Sequence, residues 1–415
     1  MFEARINFQE AMPLVRGASM TAHGEIKPTD LRVALFSGNY NYVRDGANAA
    51  LNRLVAYLEQ RGVTVRVYSP TSDTPAFEPA GTLISVPSVP IPRRKEYRLA
   101  LGLPASIRRD LDAFQPNLVH ISAPDLLGQK AVKYARSRGL PVVASVHTRF
   151  ETYLSYYHLG WLEGLLSRKI GALYNRCDEI YVPGDCMGDV MRATGVTTSI
   201  KMWSRGVDTD LFHPSRRDME WRRSLGFSDD TTVVSFVGRL VLEKGLDLFA
   251  ASIERLKDMG VNAEALIVGE GPEREWFAER MPGAVFTGFQ RGEALARAYA
   301  SSDIFLNPST TETFGNVTLE AMAAGVPAVC ANATGSNFLV QDGRTGYLVD
   351  ATDVNAYADR MAAIARDAAL AKALSDASRA RSLEFTWDSI LENLLGHYID
   401  LLARRRVAEA QRAAV

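Results

Sequence analysis

From Leu31 onward, short apolar runs alternate with longer segments whose apolar residues recur at helical spacing. Runs at 31–36, 63–68, 83–86, 118–121, 142–146 and 179–182 read as buried strands, since most are nearly continuous in aliphatic or aromatic residues. A second series follows at 233–237, 265–268, 284–286, 304–306 and 328–329. Two such series in one chain predict an α/β protein of two Rossmann-like domains, each a parallel sheet covered by helices. After Asp350 the pattern is helical, and the last helix, over Trp387 to Arg406, places Ile390, Leu394, Tyr398, Leu401 and Leu402 on one face. The expected divisions are an extension at 1–30, a first domain at 31–205, a second at 206–385, and a C-terminal helix and tail at 386–415.

Composition changes this picture little. A chain of 415 residues exceeds what one hydrophobic core supports, in keeping with two domains. A formal net charge of −1 gives no general attraction to nucleic acid, and no nucleic-acid partner is expected. Cys177, Cys186 and Cys330 lack metal-ligand spacing, and their odd number argues against a disulfide framework, so a reducing cytoplasm is the expected compartment. No apolar run approaches the roughly 18 residues of a membrane-spanning helix. The first residues hold no apolar core of the signal-peptide kind.

The candidate chemistry gathers at strand ends. The apolar run 304–306 leads into a polar loop with Glu312, and a helical pattern follows through Val317, Leu319 and Met322, with Glu320 inside it. The unpaired N–H groups of such a helix start favour an anion. Two carboxylates flanking it suit a ligand that joins phosphates to hydroxyls at both ends, as a nucleotide sugar does. The run 233–237 leads into Gly238, Arg239, Lys244 and Gly245, two cations on one loop. Arginine forks to two phosphate oxygens while lysine acts as a point charge, which suits a diphosphate. His147 follows the strand 142–146, at the edge where parallel sheets bind ligands, whereas His120 lies within a strand and reads as packed. Gly46, after Asp45, opens the first helix and permits close approach of a ligand. Asp208-Thr209-Asp210 suggests a metal pair, but its setting, Gly206 to Pro214, resembles a known family's interdomain linker.

The Glu312-x7-Glu320 pattern enclosing Phe314-Gly315, together with Gly238-Arg239-Leu240 ahead of Lys244-Gly245, resembles the retaining glycosyltransferases of family 4. The resemblance spans about Leu31 to Leu402. It implies the GT-B fold: two parallel sheets facing across a cleft, and a C-terminal helix crossing back to the first domain. It further implies transfer of a hexose from a UDP- or GDP-sugar with retention, by a front-face route, with no cofactor and no metal required. The catalytic residues it implies are His147, Glu312, Arg239 and Lys244. The donor would be held by Gly46, Gly238, Arg239, Lys244, Phe314, Gly315, Asn316, Val317 and Glu320, with Glu312 at the sugar and Glu320 at the ribose. Asp45 stands where family members often have a glycine. The base is expected to meet backbone near Gly269 to Pro272 and Gly288 to Gln290.

Trp203-Ser204-Arg205-Gly206-Val207-Asp208 is similar to a subgroup containing sulfoquinovosyl-diacylglycerol synthases and GDP-mannose-dependent α-mannosyltransferases acting on glycolipids. A lipid or glycolipid acceptor is therefore expected, with a soluble acceptor as the alternative and a nucleotide-sugar epimerase of the same fold as the rival of another class. Arg93, Arg94, Lys95 and Arg98, ahead of Leu99, Leu101, Leu103 and Ile107, form a candidate peripheral contact with the inner face of an anionic membrane. Solvated helix faces over a core are the competing reading of that stretch.

Overall fold

A computed structural model of the protein describes residues 25–43, 46–91, 94–146, 161, 163–312 and 314–413. The strands, in chain order, are β1 (Arg32–Phe36), β2 (Thr64–Ser69), β3 (Thr82–Ser85), β4 (Ser88–Ile91), β5 (Arg94–Ala100), β6 (Leu118–Ile121), β7 (Val142–Ser145), β8 (Glu179–Val182) and β9 (Ser199–Met202). They continue with β10 (Thr232–Val237), β11 (Ala263–Val268), β12 (Val285–Gly288), β13 (Ile304–Asn307), β14 (Ala328–Ala331) and β15 (Gly346–Val349).

Among the described residues these strands build two parallel sheets of seven and six strands, ordered β3-β2-β1-β6-β7-β8-β9 and β12-β11-β10-β13-β14-β15. In each sheet the winding reverses beside its first strand, so that β1 separates β2 from β6 and β10 separates β11 from β13. Loops diverge above such a switch point and leave a crevice at the carboxyl ends of the strands. The two Rossmann-like domains expected from the hydrophobic pattern are both present. Their central strands are buried on both faces, as in Leu118–Ile121 and Ile304–Asn307, which is why they read as unbroken apolar runs.

The structure departs from the sequence reading at the edges. Strands β9 and β15 are additional, and β4 and β5 pair as an antiparallel hairpin with Val89 opposite Leu99 and Pro90 opposite Arg98. The stretch read as a mixed cationic and apolar surface is thus a strand up to Ala100, and its helix starts only at Ala105. Residues 25–30 pack onto the first domain, where Ile26 is buried in the same core as Leu31 and Val33.

The C-terminal helix, Trp387–Ala413, lays Leu391, Leu394, Leu395, Tyr398 and Leu401 onto the first sheet, beside Val33, Leu54, Val143 and Tyr181. The helix therefore crosses back, as the resemblance implied. A buried chain of hydrogen bonds pins it: the Tyr398 hydroxyl lies 2.6 Å from His120 Nδ1, and His120 Nε2 lies 2.9 Å from Ser145 Oγ. Desolvation drives the His120 pKa down to about 3, so the ring is neutral and is a packing residue. The outgoing and returning crossings run side by side, with the Val207 N–H donating to the Phe385 carbonyl at 2.9 Å. In the outgoing one, Asp208 Oδ1 accepts from the N–H groups of Asp210 and Leu211, at 3.2 and 2.9 Å. Asp208 thereby caps a turn of the linker. The Arg379 guanidinium fastens that turn to the second domain, donating to the carbonyls of Thr209, Phe212 and Ala323 at 3.0, 2.9 and 2.6 Å.

Candidate active site

The site forms where β10 and β13 end. After Asn307 the chain runs through a polar loop into the helix Asn316–Ala323. Gly315 begins that helix in the left-handed region, at φ 93 and ψ 54, where a side chain would be strained. The first intrahelical bond runs from Leu319 N–H to the Gly315 carbonyl, so the N–H groups of Asn316, Val317 and Thr318 point ahead of the helix. Such a start carries a positive dipole end and donors with no intrahelical partner, the combination that suits phosphate.

Close backbone packing fixes the loop. The Asn307 amide donates to Thr318 Oγ1 at 3.1 Å, while its oxygen accepts from the Ser309 N–H at 3.2 Å. Gly335 donates its N–H to the Glu312 carbonyl, and a Cβ on Gly335 would lie 2.8 Å from Phe314 backbone carbon. On the other side Gly245, at φ 72, rests on Pro308, where a Cβ would come to 3.0 Å from its carbonyl oxygen. The loop carrying Lys244 and the loop carrying Glu312 are thereby pressed together, and Lys244 Nζ lies 2.6 Å from Glu312 Oε1. Both side chains are only partly exposed, at 25% and 17%. The two residues expected at diphosphate and at sugar are thus ion-pair partners, a contact that local sequence does not show. The ammonium keeps two further N–H donors for an incoming phosphate. Arg239 stands exposed just past β10 and has no ion pair among the described residues.

Glu320 sits one turn into the helix in a different environment. Its Oε2 accepts from the Tyr299 hydroxyl at 3.0 Å. Desolvation raises its pKa from 4.5 to about 7, against the opposing effect of the Tyr299 hydrogen bond. Tyr299 is fully buried and meets the rings of Phe212 and Phe305 edge-on, with centroids 5.8 and 5.9 Å apart.

The first domain meets this cradle through Gly46, which opens the helix Gly46–Gln60. A Cβ on Gly46 would lie 2.5 Å from the Asn316 side-chain nitrogen, so two helix starts, one from each sheet, face each other. The loops after β10, β11 and β12 are joined through backbone: the Leu240 N–H donates to the Glu270 carbonyl at 3.0 Å, and the Gly269 N–H to the Gly288 carbonyl at 2.8 Å. Gly238 and Gly269 approach so closely that a Cβ on Gly269 would fall 1.8 Å from the Gly238 carbonyl oxygen.

The structure therefore joins Gly46 to Asn316 across the two domains and Lys244 to Glu312, while Gly238 and Arg239 follow β10 and Phe314, Gly315, Val317 and Glu320 lie at or in the helix after β13. His147 lies outside the described residues, as does Arg93. Arg94 and Lys95 lie in β5, and Arg98 is turned onto its own hairpin, donating Nε to Ser88 Oγ at 2.8 Å. Around it Val89, Leu99, Leu101 and Leu126 are exposed. The residue missed by sequence reasoning is Tyr299, which lies 21 positions before Glu320 and on another helix, so no local pattern joins them.

Known proteins resemble this chain over most of its length. Residues 44–211 match the family described as Glycosyltransferase Family 4, and residues 231–367 match Glycosyl transferases group 1. A GDP-mannose-dependent alpha-mannosyltransferase of Corynebacterium glutamicum is 31% identical over 377 residues, covering 90% of each chain. The sulfoquinovosyl transferase SQD2 of Arabidopsis thaliana is 31% identical over 366 residues, covering 86% of this chain and 71% of that one. Among solved structures, sucrose-phosphate synthase from Thermosynechococcus elongatus superposes with a TM-score of 0.73 over 90% of this chain and 100% of its own, at 21% identity. That likeness shows a shared fold.

Proposed function

The chain belongs to glycosyltransferase family 4 and is a hexosyltransferase, and from that premise we propose that it moves a hexose from a nucleotide diphosphate sugar to a lipid or glycolipid acceptor with retention of the α-configuration. GDP-mannose is the first donor to test, because the Corynebacterium relative is named for it, and a UDP-sugar is the second. The carrying observation is the arrangement of charge around one helix start. Arg239 and Lys244 stand on the adjoining loop, Glu312 lies before the helix, and Glu320 lies inside it.

In this reading the diphosphate lies over the N–H groups of Asn316 and Val317, with Arg239 and Lys244 on its oxygens. As the bond from the anomeric carbon to the diphosphate oxygen lengthens, negative charge grows on that oxygen, and these groups are already placed to stabilise it. The acceptor hydroxyl attacks from the side on which the diphosphate departs, and its proton passes to the leaving phosphate oxygen. Retention follows from that front-face geometry. Glu312, neutralised by Lys244, serves as a fixed acceptor for sugar hydroxyls, and Glu320 takes the ribose. His147 is assigned to the sugar by resemblance alone. The charge of the leaving group is met by two cations and a helix start, so this reading assigns no role to a metal. The lipid acceptor would approach along the first domain, where Arg98 and the exposed Val89, Leu99, Leu101 and Leu126 surround the β4–β5 hairpin.

Incubation of the protein with GDP-mannose or a UDP-hexose, with and without glycolipid and in the presence of EDTA, tests this reading. The expected result is an α-linked product, formed only when glycolipid is present and undiminished by EDTA, with flotation of the protein on anionic vesicles. Conversion of the donor at equal rate without any acceptor indicates an isomerase instead. Transfer to a soluble sugar without vesicle binding removes the lipid acceptor from the assignment.

A further inference from the structure

Glu320 is tied to a side chain that no contact with donor would explain. Tyr299, on the helix Gly292–Ala300, is fully buried, and its hydroxyl reaches Glu320 Oε2 at 3.0 Å. Its ring is seated between Phe305 of β13 and Phe212 of the linker, both edge-on. Phe212 is itself held, since the Arg379 guanidinium donates to its carbonyl at 2.9 Å and to that of Ala323, on the helix bearing Glu320, at 2.6 Å. The phenol therefore has one orientation, set by two domain elements and the linker.

The consequence lies in how a carboxylate binds a vicinal diol. An ionised carboxyl offers about four acceptor sites on two oxygens. One site on Oε2 is committed to a rigid donor, which narrows the rotamers of the group, while Oε1 has no hydrogen-bond partner among the described residues. Two neighbouring hydroxyls can then donate one to each oxygen. A free glutamate in the same place would lose rotamer freedom on binding, and that entropic cost would come out of the affinity. The phenol also favours the ionised, acceptor-only form of a half-buried carboxyl that desolvation pushes toward protonation.

We propose that Tyr299 is a positioning residue for the ribose of the donor, acting through Glu320 and never touching the nucleotide. The proposal rests on the reading that Glu320 holds the ribose hydroxyls, and the test separates the two. Tyr299→Phe keeps the ring and its seat while removing only the hydroxyl. Competition by GDP and 2′-deoxy-GDP, and by UDP and 2′-deoxy-UDP, is measured in the wild type, Tyr299→Phe, Glu320→Gln and the double variant. The wild type should prefer the ribonucleotide by about tenfold to a hundredfold, the range for one hydrogen bond to a charged group. Glu320→Gln should erase most of that preference. Tyr299→Phe should lower it by roughly tenfold, raising the donor KM with kcat within about twofold, and should add nothing in the Glu320→Gln background, because a group acting through another is non-additive with it.

Wild-type discrimination retained in Tyr299→Phe but lost in Glu320→Gln overturns the role of Tyr299 and leaves the ribose reading standing. No discrimination in the wild type removes the ribose reading, and the proposal with it. If Tyr299→Phe does not fold, Phe212→Leu reads the same coupling by loosening the seat of the ring. It should lower the ribose preference about threefold, and an unchanged preference there also overturns the proposal.

Discussion

Glu312 lies 2.6 Å from a lysine ammonium, whereas Glu320, on the helix that follows, has the neutral phenol of Tyr299 as its partner at 3.0 Å. The same side chain is thus placed in two electrostatic settings within one short segment. At Glu312 the ion pair with Lys244 offsets the negative charge, which in the proposed reading lets the loop offer acceptor oxygens to a sugar beside a diphosphate. At Glu320 the charge is disfavoured by desolvation and stands near balance with the protonated form, at a pKa of about 7. A carboxyl held in that way is poorly satisfied in the free protein and gains most when a ligand supplies hydroxyls. The comparison sets a carboxyl satisfied by an ion pair against one whose described hydrogen-bond partner is a neutral phenol.

The largest expected effect comes from removing the cancelling charge. In the proposed reading Lys244→Ala takes a cation from the leaving group and leaves Glu312, its ion-pair partner, repelling the same phosphate. Turnover should fall about a hundredfold or more, as for other electrostatic stabilisers of a developing anion. Exchanging the pair, Lys244→Glu with Glu312→Lys, should restore thermal stability but not turnover. Recovery of turnover to within about tenfold of wild type in the exchanged protein would mean that the pair is structural.

Glu320→Gln should act in two opposite directions. Donor affinity should drop by about tenfold to a hundredfold, since a neutral amide replaces a charged acceptor. The ligand-free protein should nevertheless become more resistant to heat above neutral pH. The folded-state pKa of Glu320 is raised from 4.5 to about 7, so its favourable contribution is complete below 4.5 and is lost as pH rises through 7. At pH 8 the ionised carboxyl costs up to about 3 kcal/mol, and glutamine abolishes that cost. A melting temperature raised at pH 8 and unchanged at pH 5 is the expected signature in thermal shift. Equal increments at both values would show that desolvation of the carboxyl is not the cause.

Much of this was readable in advance, for a physical reason. Charged residues at the ends of apolar runs, such as Arg239, Lys244 and Glu312, have no packing role to explain them and so point to a ligand. The central strands were legible because burial on both faces removes polar residues, as in Leu118–Ile121. The edge strand Ser199–Met202 was not, since Ser199 and Met202 are exposed and Lys201 interrupts the pattern. The β4–β5 hairpin hid behind Pro90, which suits a strand edge but reads as a loop. The contact of Gly46 with Asn316 depends on how two sheets face each other, and a tyrosine on a helix reads as core whether or not its hydroxyl serves a carboxylate. Pairings across elements escape local pattern, while the groups that need pairing do not.

The smallest effect is also the one that divides the two glutamates most cleanly. Arg239 is exposed and the Lys244–Glu312 pair is partly exposed, so the attraction proposed for a diphosphate should be screened by salt. Raising potassium chloride from about 0.05 M to about 0.5 M shortens the screening length from roughly 14 Å to roughly 4 Å, and the affinity for the nucleoside diphosphate should fall several-fold. The ribose increment has a different origin, a hydrogen bond from neutral hydroxyls to a carboxylate seated against a neutral phenol. Coulomb screening acts little on such a contact at bonding distance. The ratio of ribonucleotide to deoxyribonucleotide affinity should therefore stay constant while both affinities decline. A ratio that falls in parallel with the affinities would place Glu320 in the same screened field as Lys244, and the distinction between the two carboxyls would be lost.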